Sequence, residues 1–299
     1  MINKPYEAIV VGSGATGGVA ALTLAEAGVR VLIIEAGPDH DLKKTLGSEP
    51  LNTLRRLQGV TCKVKRIQSQ HPGFWKANPL LYANEKENPY THPSNKPFLW
   101  TQGIQVGGRS LTWGGITLRL SNHDFKAATY DNYGPEWPIS YSELDPHYSA
   151  IEKRLKIYGN CDYLEKLPDG DYIGKLPLTP SENKFASIVE KSLGYKIINS
   201  RGFESFDGNQ NNEWPRSSSR GSTLKFALDT GNVEILSNHI VEAIEIDKIN
   251  SKAKGLIILN KTTRKRERLS SSLIILCAST IQTNRILLSS EEMNGKNCS

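Results

Sequence analysis

The chain has 299 residues, of which 38% are hydrophobic, and it carries a formal net charge of +6. A chain of this length is expected to form about two domains with ample core volume. No apolar run reaches the roughly 18 residues of a membrane span, and no basic and apolar leader precedes the first strand, so the sequence predicts no membrane span and a cytoplasmic location.

The first predicted elements are a strand, a glycine loop and a helix. The apolar run 9–11 is typical of a strand buried on both faces. It is followed by Gly12, Gly14 and Gly17, a GxGxxG loop that also contains Ser13. Gly12 permits a sharp turn, Gly14 lets the backbone approach a pyrophosphate, and Gly17 allows the helix to pack closely on the strand. The first N–H groups of the helix would then face an anion.

A second strand supplies an acidic residue at its end. The apolar run 31–34 is followed by Glu35, which lies where a carboxylate accepts a hydrogen bond from an adenosine ribose. Gly28, between helix and strand, is typical of a helix C-terminal cap. Together these elements predict the adenine-nucleotide half of a dinucleotide site. NAD and FAD share this half-site, and the alternative is a glycine-rich turn without a ligand.

The segment 39–99 is rich in Lys, Asn and Pro and shows weak periodicity. Long segments of this kind inside a domain are often lids or binding loops. We therefore expect a long excursion or lid here.

A second glycine cluster follows the excursion. Gly107, Gly108, Gly114 and Gly115 crowd one short stretch, which suits a backbone that passes tightly against a flat, polar ring system. The alternative is a bulged hairpin. One ligand shared with the first glycine loop would explain both clusters.

Later patterns are weaker. They predict, in chain order, a helix that starts at Asp145 and Pro146, a helix over 183–193, a strand over 195–199, and a helix from Ser222 to Gly231. The basic run 261–268 lies between apolar runs 255–259 and 272–277 and is interpreted as a solvated hairpin tip. No aromatic residues are interleaved with it, so we expect no nucleic-acid partner.

Cysteine and histidine usage gives no sign of a metal site. The four cysteines, Cys62, Cys161, Cys277 and Cys298, contain no CxxC pair, and the six histidines show no ligand spacing. Reduced thiols fit a cytoplasmic protein.

Four segments resemble the glucose-methanol-choline (GMC) oxidoreductases. The stretch 100–115 is similar to the flavin-cradling loop of that family, and 137–153, WPISYSELDPHYSAIEK, resembles its branch of bacterial sugar and aldonate dehydrogenases. The stretch 232–247 resembles the strand pair at the adenine, and 272–290 resembles the second family signature. Trp113 stands where many members have Asn, and Asn284 and Glu291 also depart from the common pattern.

The resemblance implies FAD as cofactor and extends the list of site residues. The flavin loop would contribute Gly107, Gly108, Ser110, Trp113 and Gly114. The adenine would meet the backbone of Val241, and the second signature would contribute Ala278 and Ser279. Thr112 occupies the place of a histidine that bonds covalently to the flavin in some relatives, which predicts non-covalent FAD.

The resemblance also implies an α/β fold with a Rossmann-like FAD-binding domain, a three-layer architecture around a parallel sheet. The expected boundaries are 1–125 and 217–299 for that domain, with the excursion 39–99 in its first part. The stretch 126–216 would begin an inserted α+β substrate-binding domain.

The implied activity is oxidation of the CH–OH group of an alcohol or sugar-like donor, with hydride transfer to flavin N5. A dehydrogenase is favoured over an oxidase, and the electron acceptor stays open. In the family the catalytic histidine lies well beyond the second signature, so this chain is interpreted as an N-terminal portion and no catalytic base is assigned. The alternatives are a non-catalytic FAD-binding fragment, a subunit that needs a second chain, and an NAD-dependent two-domain dehydrogenase.

Overall fold

The computed structural model describes residues 6–46, 49–203, 213–247, 249–250 and 252–294. In chain order its strands and α-helices are β1 (Ala8–Val11), α1 (Ala15–Glu26), β2 (Val31–Ile34), α2 (Leu42–Leu46), α3 (Glu49–Thr61), α4 (Gly73–Lys76), α5 (Asn122–Phe125), α6 (Ala127–Asp131), α7 (Tyr141–Leu155), α8 (Pro180–Leu193), α9 (Thr223–Asp229), β3 (Val233–Leu236), β4 (His239–Ile246), β5 (Ala253–Asn260), β6 (Arg266–Ser270), β7 (Leu273–Leu276) and α10 (Thr280–Asn294).

The described residues form two compact units. The first is drawn from Met1–Trp113 and Asn209–Ser299, and the second from Gly114–Gly208. A chain that leaves the first unit and later returns to it makes that unit discontinuous in sequence.

A four-stranded parallel sheet lies at the centre of the first unit. Its strand order is β3-β2-β1-β7, and β1 pairs in parallel with both neighbours. All four residues of β1 and of β2 are buried. Parallel strands are usually covered on both faces, which explains why these short strands are apolar without alternation.

Successive side chains of β1 and β2 point to opposite faces and enter two separate cores. One core joins Ala8, Val10, Val31 and Ile33 to side chains of α1 and α9. The other joins Ile9, Val11, Leu32 and Ile34 to strands β4 and β5 and to α10. The antiparallel sheet β4-β5-β6 therefore covers one face and the two helices cover the other. This confirms the predicted three-layer α/β fold around a parallel sheet.

The predicted strand, helix and strand at the start of the chain are confirmed. Helix α1 begins after Gly14 and ends at a C-cap on Ala27, and Gly28 follows in the left-handed region with φ of 82°. A Cβ at Gly17 would lie 1.9 Å from the carbonyl oxygen of Gly12. Only glycine fits at that contact between loop and helix.

The segment 39–99 is more ordered than its weak periodicity predicted. It contains α2, α3 and α4, and two further single helical turns at Gln68–Gln70 and Pro79–Leu81. Phe74, Leu81 and Tyr82 form a small apolar cluster of their own.

Two buried arginines hold the second unit together. Arg119 donates from Nε and Nη2 to the carboxylate of Glu152 on α7, at 2.8 and 2.6 Å. Arg201 is fully buried and pairs with Asp162 at 3.1 Å and with Asp169 at 2.7 Å. Buried guanidinium groups are tolerated when charges and hydrogen bonds compensate them in this way.

The predicted start of α7 at Asp145 and Pro146 is wrong, because the helix begins at Tyr141. Ser140 and Glu143 form a capping box in which the Ser140 N–H donates to the Glu143 carboxylate at 2.8 Å. This cap starts the helix one turn earlier and leaves Pro146 inside it.

The predicted strand over 195–199 is also wrong. Lys196 Nζ donates to the carbonyl of Asp162 at 2.7 Å, and Asn199 Nδ2 donates to the carbonyl of Leu176 at 2.5 Å. The segment is thus tied to loops through side chains and forms no strand. The helix predicted over 183–193 exists and begins three residues earlier, at Pro180, where Thr179 caps it.

Two predictions near the end of the chain need correction. Ser222 precedes α9, but its hydroxyl donates to the carbonyl of Ser218 at 2.6 Å instead of capping the helix, which ends at Asp229 and not at Gly231. The basic run does form a hairpin tip over 261–265. Its returning strand is β6, whereas the predicted partner 272–277 forms β7 in the parallel sheet.

We expect Gly17→Ala to lower the free energy of unfolding by about 3 kcal/mol, because its methyl group overlaps the Gly12 carbonyl. Gly14→Ala is the matched control, since no atom lies within 4 Å of that Cβ position and φ is −68°. Chemical unfolding of both variants without ligand measures the difference. Equal unfolding midpoints would contradict the close approach of loop and helix.

Candidate functional site

The glycine loop leaves open space at the start of α1. Gly12 has φ of 100°, and a Cβ there would lie 2.5 Å from the carbonyl oxygen of Cys277. In contrast, nothing lies within 4 Å of a Cβ built on Gly14, the N-cap residue. No side chain caps α1 and its first turn holds no acidic residue. The N–H groups and the positive end of the helix dipole are therefore available to an anion.

Glu35 is held beside this loop by three hydrogen bonds. One carboxylate oxygen accepts from the Ser13 N–H at 3.1 Å and from the Ser13 hydroxyl at 2.6 Å, and the other accepts from the Gly37 N–H at 2.9 Å. Only 6% of Glu35 is exposed. Burial raises the pKa of its carboxyl, and the bonds from Ser13 and Gly37 act against that shift. A carboxylate oxygen has two lone pairs, so the oxygen bound to Gly37 can accept a further donor.

The second glycine cluster lies against the first. Gly107 and Gly108 both have positive φ, at 92° and 51°, and a single helical turn follows over Gly108–Leu111. A Cβ on Gly108 would lie 3.3 Å from the Cα of Gly14. The structure thus brings Gly107 and Gly108 against the first glycine loop, and a bulged hairpin does not form over this turn.

Buried serines connect the two glycine clusters to a third segment. The Gly107 N–H donates to the Ser13 hydroxyl at 3.0 Å, and the Ser110 hydroxyl donates to the Gly107 carbonyl at 2.6 Å. Ser219 then donates from its N–H to the Ser110 hydroxyl at 2.9 Å and from its own hydroxyl to the Ser13 carbonyl at 3.0 Å. Ser219 could not be predicted from the sequence, since a serine run in a loop carries no local signal of this role.

Arg220 fixes the loop after β2 and was also missed. Its guanidinium pairs with Asp39 at 2.6 Å, donates to the His40 carbonyl at 2.9 Å and lies 4.2 Å over the Trp214 ring. A Cβ on Gly107 would lie 2.8 Å from Arg220 Cγ. The positive φ of Gly107 and the packing of Arg220 therefore both require glycine at this position.

Three further predicted residues belong to the first unit: Ala278 and Ser279 follow the C-terminal end of β7, and Val241 lies on β4. The backbone nitrogen of Ala278 is 3.2 Å from the Cβ position of Gly12, and Ser279 takes a left-handed φ of 66°. Val241 is buried in the core beside β1, next to a break in strand register, and its carbonyl accepts from Arg285 Nη2 at 2.7 Å. No direct contact joins Val241 to the glycine loop among the described interactions.

Trp113 and Gly114 fall at the junction of the two units. The Trp113 indole N–H donates to the Ser217 carbonyl at 2.8 Å, and the ring is 41% exposed. Gly114 is the first residue of the second unit. Thr112 lies between Ser110 and Trp113, and its hydroxyl donates to the Arg109 carbonyl at 3.4 Å.

The second unit has an open concavity of about 1070 Å³, lined in part by Lys153, Asp171, Tyr163 and Tyr172. Lys153 and Asp171 pair with each other at 3.0 Å, and no histidine is among the described lining residues. Within the described ranges, no group of three or more His, Cys, Asp or Glu is arranged to hold a metal ion.

Comparison with protein families and curated proteins gives consistent matches. A family model described as GMC oxidoreductase matches residues 6–296. The chain is 22% identical to the fructose dehydrogenase large subunit of Gluconobacter japonicus over 94% of this chain and 54% of that protein. It is 27% identical to the gluconate 2-dehydrogenase flavoprotein of Pantoea cypripedii over 58% of this chain and 28% of that protein. The chain thus spans about half, or less, of the length of these relatives.

Solved structures with the same fold include an FAD-dependent oxidoreductase from Chaetomium thermophilum. Its TM-score is 0.60 at 17% identity, over 98% of this chain and 50% of that one. The formate oxidase of Aspergillus oryzae gives 0.57 at 15% identity, over 98% and 50%. These likenesses support the fold described above.

We expect Ser219→Ala to destabilise the site by about 1 kcal/mol, because it removes the hydroxyl bond to the buried Ser13 carbonyl. Ser272→Ala is the matched control, since that exposed hydroxyl makes one long bond of 3.3 Å to the Glu7 carbonyl. Urea unfolding of both variants provides the comparison. If Ser272→Ala lowered the free energy of unfolding as much as Ser219→Ala does, the buried hydrogen bonds of Ser219 would stabilise the fold no more than an exposed serine does.

Proposed function

Because the chain belongs to the GMC oxidoreductase family, we propose that it binds FAD on its first unit and forms part of an oxidoreductase that acts on CH–OH groups. The observation that carries this proposal is the approach of Gly107 and Gly108 to the first glycine loop at the uncapped start of α1. Because glycine has no side chain, the backbones of these two segments can both lie directly against one ligand.

The first glycine loop would hold the pyrophosphate. Gly12 and Gly17 shape the loop, while the open space beside Gly14 and the N–H groups at the start of α1 would receive the phosphates. Ser13 holds Glu35 in place, and the remaining lone pair of the carboxylate would accept from an adenosine ribose hydroxyl. A fixed negative charge at this position would also disfavour a ribose that carries a phosphate.

The remaining predicted residues would surround the rest of the cofactor. We assign Gly107, Gly108, Ser110, Trp113 and Gly114 to the flavin side and Val241 to the adenine. Ala278 and Ser279 would lie near the turn after β7. Support comes from Gly108 lying against Gly14 and from Ala278 lying against Gly12. Thr112 supports non-covalent attachment, because a hydroxyl of this kind does not form the bond made by histidine.

FAD is the cofactor of this family, as the sequence predicted. When bound, it accepts a hydride from the carbon that bears the substrate hydroxyl. The residues assigned above would bind and orient the cofactor, and we assign no catalytic base to this chain. The fructose and gluconate enzymes among the relatives favour a sugar or sugar acid as substrate, and dehydrogenase over oxidase activity. The electron acceptor is not assigned.

We further propose that catalysis needs polypeptide beyond the described residues. Helix α8 is fully capped by Thr179 and Gly194 but buries none of its residues. Phe185, Ile188 and Leu193 are each more than half exposed on it. An apolar helix face of this kind is usually covered, and the matched relatives are about twice as long as this chain. The alternatives are a non-catalytic FAD-binding fragment and a subunit completed by a second chain.

Two finer assignments stay proposals. The domain boundaries 1–125, 126–216 and 217–299 are supported by the division into two units, which lies close to them.

A cytoplasmic location is supported by Cys62, Cys161 and Cys277, which are all free thiols; Cys298 lies outside the described residues. No helix within the described ranges is long and apolar enough to cross a membrane.

We expect the purified chain to show the visible absorption of oxidised flavin and to release FAD on denaturation. Gly14→Asp should abolish flavin content, because it puts a carboxylate into the open space at the phosphates. Gly14→Asn has the same bulk without the charge and should lose less. Full flavin content in Gly14→Asp would show that the phosphates bind elsewhere, and a colourless chain that binds NAD would favour an NAD-dependent dehydrogenase.

We expect the FAD-loaded chain to show no bleaching of its flavin by fructose or gluconate under anaerobic conditions, because we assign no catalytic base to it. Dithionite is the control and should bleach it fully. Bleaching by a sugar at a turnover rate would show that the chain holds a complete catalytic site.

A further inference from the structure

Helix α3 presents its leucines outward and its polar residues inward. Asn52, Arg56 and Gly59 are buried, whereas Leu51, Leu54 and Leu57 are exposed by 42, 51 and 53%. A surface helix ordinarily buries its apolar face. We call the three leucines the leucine face.

Arg56 fixes this orientation. Its Nε donates to the Phe74 carbonyl at 3.3 Å and its Nη2 to the Ala77 carbonyl at 3.1 Å, while Nη1 pairs with Glu49. Only 5% of the Arg56 side chain is exposed. Rotating α3 to bury the leucines would break the two contacts that Arg56 makes outside the helix and would leave the carbonyls of Phe74 and Ala77 without this donor. The outward leucine face is therefore built into the segment.

The leucine face carries no charge. At 100° per residue, Leu54 lies opposite the buried side of α3. The positions between the leucines are Pro50, Gln58 and Thr61, and Arg55 borders the face beside Leu51. The face can therefore leave water without burying a charge.

The segment that contains this uncharged face is rich in positive charge. Residues 39–99 contain ten Lys and Arg against five Asp and Glu, so this segment holds nearly all of the net charge of the chain. The exposed cations of the same segment include Lys43, Lys63, Arg66 and Lys76. The indole of Trp75, next to Lys76, is half exposed. Leucine and tryptophan flanked by lysine and arginine are typical of helices that lie in the headgroup region of a membrane.

We propose that the leucine face of α3 docks the protein on an anionic lipid surface. The three leucines would enter the boundary between headgroups and acyl chains, and exposed lysines and arginines of the same segment would contact lipid phosphates. This contact would be peripheral and reversible.

The size of the face favours lipid over a protein partner. A helix of 13 residues is about 20 Å long, and one face is about 10 Å wide, which gives roughly 200 Å². A stable protein interface buries about 800 Å² on each partner. A lipid surface needs no such minimum, because the attraction of several cations adds to the insertion of a few side chains.

The test is flotation of the 299-residue chain with vesicles in a density gradient, which separates bound protein from aggregates because aggregates sink. We expect the chain to float with vesicles that contain phosphatidylglycerol and not with pure phosphatidylcholine. High salt should reduce flotation by screening the cations. Replacing Leu51, Leu54 and Leu57 together by serine should lower the floating fraction about tenfold.

Helix α8 provides the matched control. Phe185, Ile188 and Leu193 are at least as exposed as the leucine face, but α8 carries two Glu and two Lys and so no net charge. Replacing these three by serine should leave flotation unchanged. The variant Lys63→Gln with Arg66→Gln should weaken flotation and keep the leucine face intact. Circular dichroism checks that each variant is folded.

Two outcomes would overturn the proposal. One is a chain that floats with neither kind of vesicle, or equally with both. The other is a dimer, seen by light scattering, that the leucine substitutions convert to a monomer without flotation of the original chain. That result would make the leucine face an interface between two copies.

Discussion

The hydrogen bonds of Ser13 are the constraint on which the first unit depends. Its hydroxyl lies between the buried carboxylate of Glu35 and the backbone of Gly107, and its carbonyl accepts from Ser219. Four segments distant in sequence are thus fixed around one small residue. A larger side chain would not fit in this fully buried position. Alanine would remove the shortest of the hydrogen bonds to Glu35 and would leave the Gly107 N–H without its acceptor.

The start of the fold could be predicted from sequence because its determinants are local. The apolar runs of β1 and β2, the glycine spacing and the acid at the end of β2 lie within 30 residues and agree with one another. The family, too, was identified from short motifs and is confirmed. The predicted start of α7 was wrong because Pro146 is typical of the first turn of a helix, and the prediction followed that proline and not the capping box at Ser140.

The rest of the site could not be predicted because it depends on long-range contacts. Ser219 and Arg220 act on residues roughly 110 to 210 positions away, and nothing in a run of serines followed by arginine indicates those partners. The exposure of the leucine face could not be predicted from the sequence either. Its periodicity would indicate a helix packed on a core, and only the contacts of Arg56 reveal which side of α3 is buried.

The position of β1 in its sheet has a consequence for the synthesis of the chain. β1 lies between β2, about 20 residues later, and β7, about 265 residues later, with Ala8 paired to both Val31 and Leu273. At ribosomal rates of about 5 to 20 residues per second, β7 emerges tens of seconds after β1. During that time the apolar edge of β1 has no partner on one side, and the turn at Gly12 lacks the Cys277 carbonyl on which it packs. The nascent chain therefore needs protection from aggregation until β7 arrives.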